Sequence, residues 1–416
     1  MQNSVDKLGS WLVYLYKSTH KKNITPIAPQ RLIECLPYLP DFQVGIKATS
    51  EDEAFIEKYS NPKKYKDFIK FQNPFNPDKE EGEEGEKGEK GEGENGEAPQ
   101  NRRERRDQKD KEKVDRNTLE GTKVGFYLNC HLYRQEIPKA LEKEYNFTIS
   151  KSALLLKKSA EISCQLQDVD FVLKSLTMTQ LFVQAIWGSG DSLQLKQLPH
   201  FDQFDLAKKK TKYTVDTIAK FQALPEEERK TLLKHLPQEQ YDEVLAAAAQ
   251  IPRVTILQAD FVVLDEKTTV VGDVVTFICK FHVSYGINTP EPKKTKGIKT
   301  SEEFKIENDR EIERQKTSPR DVLPAYTPHF PEARESHWWV ILGQKEKLVA
   351  VNYVPELTTA GTVSCRPFCP FPLSLGSHSL SESFSCAVKR GHHHFGPFQA
   401  AEGQVRALGL QGLRCF

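Results

Sequence analysis

At Pro252 the apolar residues of this chain change their spacing, and that change divides it into a helical part and a β part. Upstream they recur every three or four positions; downstream they alternate. VTILQADFVVL, VVTFICKFHV, WWVILG and KLVAVNYV are rich in β-branched and aromatic residues and read as strands. Between the second and third lies an insert, 288–320, most of it the charged run Pro290–Arg320, far longer than an ordinary connection. Helices followed by strands predict an α+β multidomain chain. The expected order is a helical bundle, a helix-hairpin-helix-like unit and a β-sandwich.

The helical part is punctuated by prolines. In the first segment, 1–77, Leu8, Trp11, Leu12 and Leu15 share a helix face. Pro26 and Pro29 open a short helix carrying Leu32, Ile33 and Leu36, which Pro37 and Pro40 close. Glu51–Tyr59 and Lys63–Phe71 read as two more. Segment 78–121 then runs through EEGEEGEKGEKGEGENGE into the basic RRERRDQKDKEK. With apolar residues nearly absent, little burial offsets the entropy of ordering, so this insertion is expected to be disordered.

From Thr122 the helical period returns, and 122–194 reads as the bundle. Val124, Phe126, Tyr127, Leu128, Leu132 and Tyr133 mark its first helix, and Ile137-Pro138 begins the second. Leu154–Leu166 and Leu173–Trp187 follow, with Gly188 and Gly190 as the stop. In 195–252, Pro225 before Glu226, Glu227 and Glu228 is a helix start, because carboxylates suit the positive end of the helix dipole. Pro237 opens the next helix and Pro252 closes it. The hairpin turn Lys210-Thr211-Lys212-Tyr213-Thr214 has no glycine to let backbone N–H groups approach a phosphate, so it reads as structural.

Composition narrows the function. With 59 Lys+Arg against 58 Asp+Glu the net charge is +1, which gives no bulk attraction for nucleic acid or a membrane surface. The longest apolar run near the start, Trp11–Tyr16, is too short to span a bilayer. Nor does the start resemble a signal peptide. Cys35, Cys130, Cys164 and Cys279 are scattered singly, as buried thiols of a reducing compartment are. No GxxxxGK, GxSxG, HExxH or CxxC occurs, and His131, His200, His282 and His337 have no recognisable partners in sequence. Neither an enzyme nor a bound cofactor is expected.

Segment 358–416 changes character, holding only two acidic residues, Glu382 and Glu402, and showing no period. It reads as foreign to the preceding domain, as a splice or reading-frame product would be. Its Cys365, Cys369, Cys386 and His392-His393-His394 match no common zinc spacing, so no metal site is expected. The sandwich, 253–357, then holds four or five of about seven strands and is expected to be incomplete.

Four stretches carry a resemblance: IPKALEKEY (137–145), LPHFDQFDLAKKKTKYTVDTIAKFQAL (198–224), EEERKTLLKHLPQEQYDEVL (226–245) and WWVILGQKEKLVAVNY (338–353). Together they resemble the Sec domain of the Sec sixty-three family, the J-protein subunit of the endoplasmic-reticulum translocon. The signature residues within them are Pro138, Leu198, Pro199, His200, Tyr213, Ile218, Leu232, Leu233, Tyr241, Trp338 and Trp339, all structural. Strand alternation points one ring of the Trp338-Trp339 pair into the sandwich and the other outward, and core packing is expected over an exposed partner contact.

The resemblance implies a non-catalytic cytosolic domain at the reticulum membrane. Its partners would be the Sec translocon channel and associated Sec subunits, met through the sandwich, which the resemblance makes fibronectin- or Ig-like. The family's membrane spans, and the lumenal J domain whose His-Pro-Asp engages the chaperone BiP, have no counterpart in this sequence. The chain therefore reads as a truncated product that would by itself be cytosolic. A related domain of Ski-type RNA helicases has the same order of parts and implies RNA contact through Lys208, Lys209, Lys210 and Lys212. A free cytosolic adaptor using its charged inserts is the third reading.

Overall fold

The computed structural model describes residues 2–22, 29–46, 68–69, 71, 74–75, 121–188, 193–201, 215–262, 276–290, 302–303, 305–306, 325–334, 337–344, 347–354, 362–365, 384–391 and 399–400. They belong to two compact units, Met1–Ser159 and Ala160–Phe416. The expected helix Glu51–Tyr59, most of Lys63–Phe71, and the insertion as far as 120 lie outside the described residues.

In the first unit, α1 (Gln2–Lys22) buries Leu8, Trp11, Leu12 and Leu15, the face its spacing predicts. Two 3-10 turns follow, Pro29–Ile33 and Leu36–Tyr38. Pro37 does not close the first of them. It sits in the opening positions of the second, where its fixed φ helps and its missing N–H is not needed. α2 (Pro40–Gly45) is tied to α1 by Ser4, whose hydroxyl donates to Asp41 Oδ1 at 2.7 Å and accepts from the Asp41 N–H at 2.9 Å.

Lys151 reaches the other Asp41 oxygen at 2.6 Å. Burial by itself raises this carboxyl, but the bonds from Lys151 and Ser4 outweigh it and hold the pKa at about 2, below the ordinary 3.8. Because the folded value is the lower one, the contribution is complete above the unfolded pKa and fades as pH falls through about 2. Asp41→Asn is expected to lower stability at neutral pH by on the order of 1 kcal/mol after allowance for solvent screening. In acid titrations of unfolding, the gap from the parent chain should shrink between pH about 4 and about 2; a gap independent of pH would refute the assignment.

The described part of α3, 121–132, already includes Gly121, the last residue of the expected insertion. It ends in a left-handed residue, Arg134 (φ 52°), with the Gln135 N–H bonded to Cys130 O at 2.8 Å. Pro138 then precedes a short 3-10 turn, Lys139–Leu141, that runs directly into α4 (Glu142–Gln165). The sequence reading divided this stretch into two helices. No proline or glycine interrupts it, so it is one helix of 24 residues.

In the second unit, α5 (Val169–Val183) starts at Asp168, whose carboxylate accepts the Phe171 N–H at 2.8 Å. The helix stops before Gly188 and Gly190, the expected stop. Ala185 takes the left-handed conformation (φ 50°), and the N–H groups of Ala185 and Ile186 return to Phe182 O and Leu181 O at 3.0 and 2.9 Å. This is a Schellman end with alanine where glycine is usual. Ala185→Gly is therefore expected to stabilise the chain by about 1 kcal/mol, because the methyl group strains this φ. A lower midpoint in urea would contradict it.

The strands form two antiparallel sheets. β1 (Arg253–Val262), β2 (Thr276–Ser284) and β5 (Thr362–Cys365) lie in the order β1-β2-β5. β3 (His337–Gln344), β4 (Lys347–Val354), β6 (Phe384–Gly391) and β7 (Gln399–Ala400) lie in the order β4-β3-β6-β7. Three of these strands fall in 358–416, where the sequence shows no period. β6 pairs with β3 from His337↔Gly391 to Gln344↔Phe384. Backbone hydrogen bonds need no side-chain alternation, so a partner strand can order a segment whose pattern is silent.

β3 is covered on both faces. Trp339 and Ile341 pack with Ala160, Val169, Val172, Leu173, Leu176 and Leu348, facing α5. Trp338, Val340 and Leu342 alternate to the other face and are buried too. Both tryptophans are core, the reading preferred over an exposed partner contact: Trp338 is 2 % and Trp339 5 % exposed.

Candidate interaction module

Downstream of α5 the second unit builds a small helical core. A 3-10 turn, Leu193–Gln197, precedes it. Then come α6 (Ile218–Ala223), α7 (Glu226–Leu232) and α8 (Gln238–Gln250). Thr217 caps α6 by accepting the Lys220 N–H at 3.2 Å, while α7 and α8 begin directly after Pro225 and Pro237. Glu226 and Lys230, one turn apart on the exposed side of α7, pair at 2.6 Å. Their hydrogen bond and mutual charge lower the glutamate pKa and raise that of the lysine.

The signature residues do not converge on one site. Leu198, Ile218, Leu232, Leu233 and Tyr241 lie together in the core of this helical unit with Phe201, Phe221 and Val244. Pro199 and His200 form the turn beside it. His200 has φ 64°, and its Nε2 meets Glu243 Oε2 on α8 at 2.7 Å, a partner 43 residues away. Pro138 stands before α4 in the first unit; Trp338 and Trp339 stand on β3. Tyr213 and Lys208, Lys209, Lys210 and Lys212 lie outside the described residues.

A buried polar junction that sequence reasoning missed joins this core to the end of β2. Gln222, 3 % exposed, donates from Nε2 to Ala248 O and Ile251 O, each at 2.7 Å. It thereby adds a donor to two carbonyls at the end of α8, one of which, Ala248 O, also accepts the Ile251 N–H at 3.2 Å. Arg229, 4 % exposed, donates from Nη1 to Leu224 O, to Gln222 O at 3.5 Å and to Asn288 Oδ1 at 3.3 Å. In the loop after β2, the Asn288 N–H donates to Gln222 O at 3.1 Å and the Gly286 N–H to Ala249 O at 3.0 Å. Arg253 of β1 donates to Thr289 O at 2.6 Å.

Gly286 (φ 95°) and Asn288 (φ 56°) both take left-handed backbone, which glycine and asparagine tolerate better than other residues. Sequence reading places Gln, Arg and Asn in solvent by default. Its one available hint was an asparagine two residues beyond a glycine at a strand end, a turn signal.

Other polar groups are absorbed by packing. In the first unit His131 is buried, with Nδ1 3.1 Å from the Tyr145 hydroxyl, and Lys123 meets Glu144 at 2.7 Å. Burial raises the Cys130 thiol to about 12 and that of Cys164 to about 11, far from the range of a reactive thiolate. Among the described residues no group of three or more His, Cys, Asp or Glu is placed to hold a metal ion. The side chains of Cys365, Cys369, Cys386 and His392–His394 lie outside those residues. Among the described residues no helix is long and apolar enough to cross a membrane.

Residues 106–361 match the family model described as the Sec63 Brl domain, well over half of the chain, so the chain belongs to the Sec63 family. Human "Translocation protein SEC63 homolog" is 30 % identical over 174 residues, which is 38 % of this chain and 23 % of that protein. "Translocation protein sec63" of Schizosaccharomyces pombe is 30 % identical over 177 residues, 41 % of this chain and 28 % of that protein. The chain thus spans about a quarter of the length of these curated relatives. The human "U5 small nuclear ribonucleoprotein 200 kDa helicase" is 24 % identical over 221 residues, 53 % of this chain and 8 % of that protein.

Proposed function

We propose that this chain is a non-catalytic scaffold module of protein translocation into the endoplasmic reticulum. It acts at the cytosolic face of the membrane, where it contacts the Sec channel and its associated subunits. The observation that carries this reading is the family match across 106–361, supported by relatives named as translocation proteins. The two sheets, read as a fibronectin-like sandwich, are the surface offered to the channel.

The test is capture from detergent-solubilised reticulum membranes by the tagged full chain. The expected result is enrichment of channel subunits over an unrelated tagged protein of equal charge. A folded chain that captures none overturns the reading.

A second reading, RNA binding, draws on the helicase similarity, which covers more of this chain than the translocation relatives do. It requires binding of single-stranded RNA that weakens steeply between low and moderate salt. Replacing Lys208, Lys209, Lys210 and Lys212 by Gln should then flatten that salt dependence. RNA binding of this kind, with no channel capture, puts the second reading in place of the first.

A further inference from the structure

We infer that Arg229, on α7, is a latch that fastens the loop leaving β2 to the end of α6. A buried guanidinium is normally matched by a carboxylate. Here all three of its acceptors are neutral: Leu224 O and Gln222 O at the end of α6, and Asn288 Oδ1 in the loop. A cation held in this way gives up hydration with no carboxylate bonded to it, and what it gains is position, since Nη1 alone reaches a helix end and a strand exit together.

Two backbone bonds close the same gap beside it, from Asn288 to Gln222 and from Gly286 to Ala249, and Arg253 holds Thr289 on the far side. The loop 285–290 is thereby pinned at both ends, and the charged run continues from its last residue. A pull on β2 is borne by the helical core instead of being taken up in the loop. The inference stands whichever partner the module binds.

Site-resolved hydrogen exchange on the full chain tests it. In the parent chain the amides of Gly286 and Asn288 should be as protected as those of Val244 and Ala248 inside α8. Arg229→Met removes the donor, keeps the volume and leaves the loop sequence unchanged; Asn288→Gly keeps the left-handed backbone and removes the Oδ1 acceptor with the rest of the side chain. Each should speed exchange at 286 and 288 roughly tenfold or more, as loss of a hydrogen bond to a charged group does. Val244 and Ala248 should keep their parent rates.

Thr231→Ala, which removes only an exposed hydroxyl bonded to Glu227 O on the same helix, is the control and should change nothing at 286 or 288. Unprotected amides at 286 and 288 in the parent, or rates unmoved in both variants, overturn the latch. So does an equal acceleration of every amide from 218 to 284 in Arg229→Met, which would make Arg229 a contributor to global stability only.

Discussion

Trp339→Ala should lower the unfolding free energy of the second unit by about 3–5 kcal/mol, the range for deleting a buried large aromatic side chain. The ring lies among Ala160, Val169, Val172, Leu173, Leu176, Ile341 and Leu348, residues of α4, α5, β3 and β4. No single neighbour can collapse into the space it leaves, because the surrounding side chains belong to elements fixed by their own hydrogen bonds. Urea unfolding followed by far-ultraviolet circular dichroism checks this. The midpoint should fall sharply with little change in slope, since the surface exposed on unfolding is nearly the same. Trp339→Phe should recover a good part of the loss. A loss below about 1 kcal/mol would mean that the ring sits in a site able to repack.

Gln222→Glu is expected to be nearly as damaging, at about 3 kcal/mol or more near neutral pH. The side chain now donates to two carbonyl oxygens at the end of α8. A carboxylate there turns two attractions into two repulsions and buries a charge. Gln222→Met isolates the first part, removing a donor from each of two carbonyls with no charge added, for about 1–3 kcal/mol.

The two variants separate by pH. In the Glu variant the carboxyl of the folded state is pushed above its unfolded pKa of about 4.3. Its extra penalty is absent below that value and grows as pH rises through the folded one. Stability of Gln222→Glu should therefore approach that of Gln222→Met near pH about 4, while the Met variant shows no such convergence toward the parent. Equal pH profiles for the two would show that the side chain at 222 reaches water.

Much of the helical architecture was legible because its signals are local. The face Leu8, Trp11, Leu12, Leu15 predicted α1, and Pro225 and Pro237 marked the starts of α7 and α8, since a missing N–H and a fixed φ act at the residue that carries them. The four strand patterns before Thr358 correspond to β1–β4. Helix ends were harder to read. Arg134 and Ala185 adopt left-handed backbone that glycine signals did not mark, because tertiary packing around a Schellman turn can outweigh an energy of about 1–2 kcal/mol.

The polar contacts were least legible. His200 with Glu243, Gln222 with Ala248 and Ile251, and Arg229 with Asn288 join residues 43, 26, 29 and 59 positions apart, and no periodicity encodes such separations.

The order of helices and strands, the resemblance in four stretches and the family it pointed to were determined by sequence alone, because period and punctuation are properties of neighbours along the chain. Tertiary structure alone decided that both tryptophans of β3 are covered, that strands from 358–416 complete its pairing, and that a buried arginine with neutral partners joins α6 and α7 to the exit of β2. These depend on which distant surfaces meet, and burial is a property of the meeting rather than of either surface.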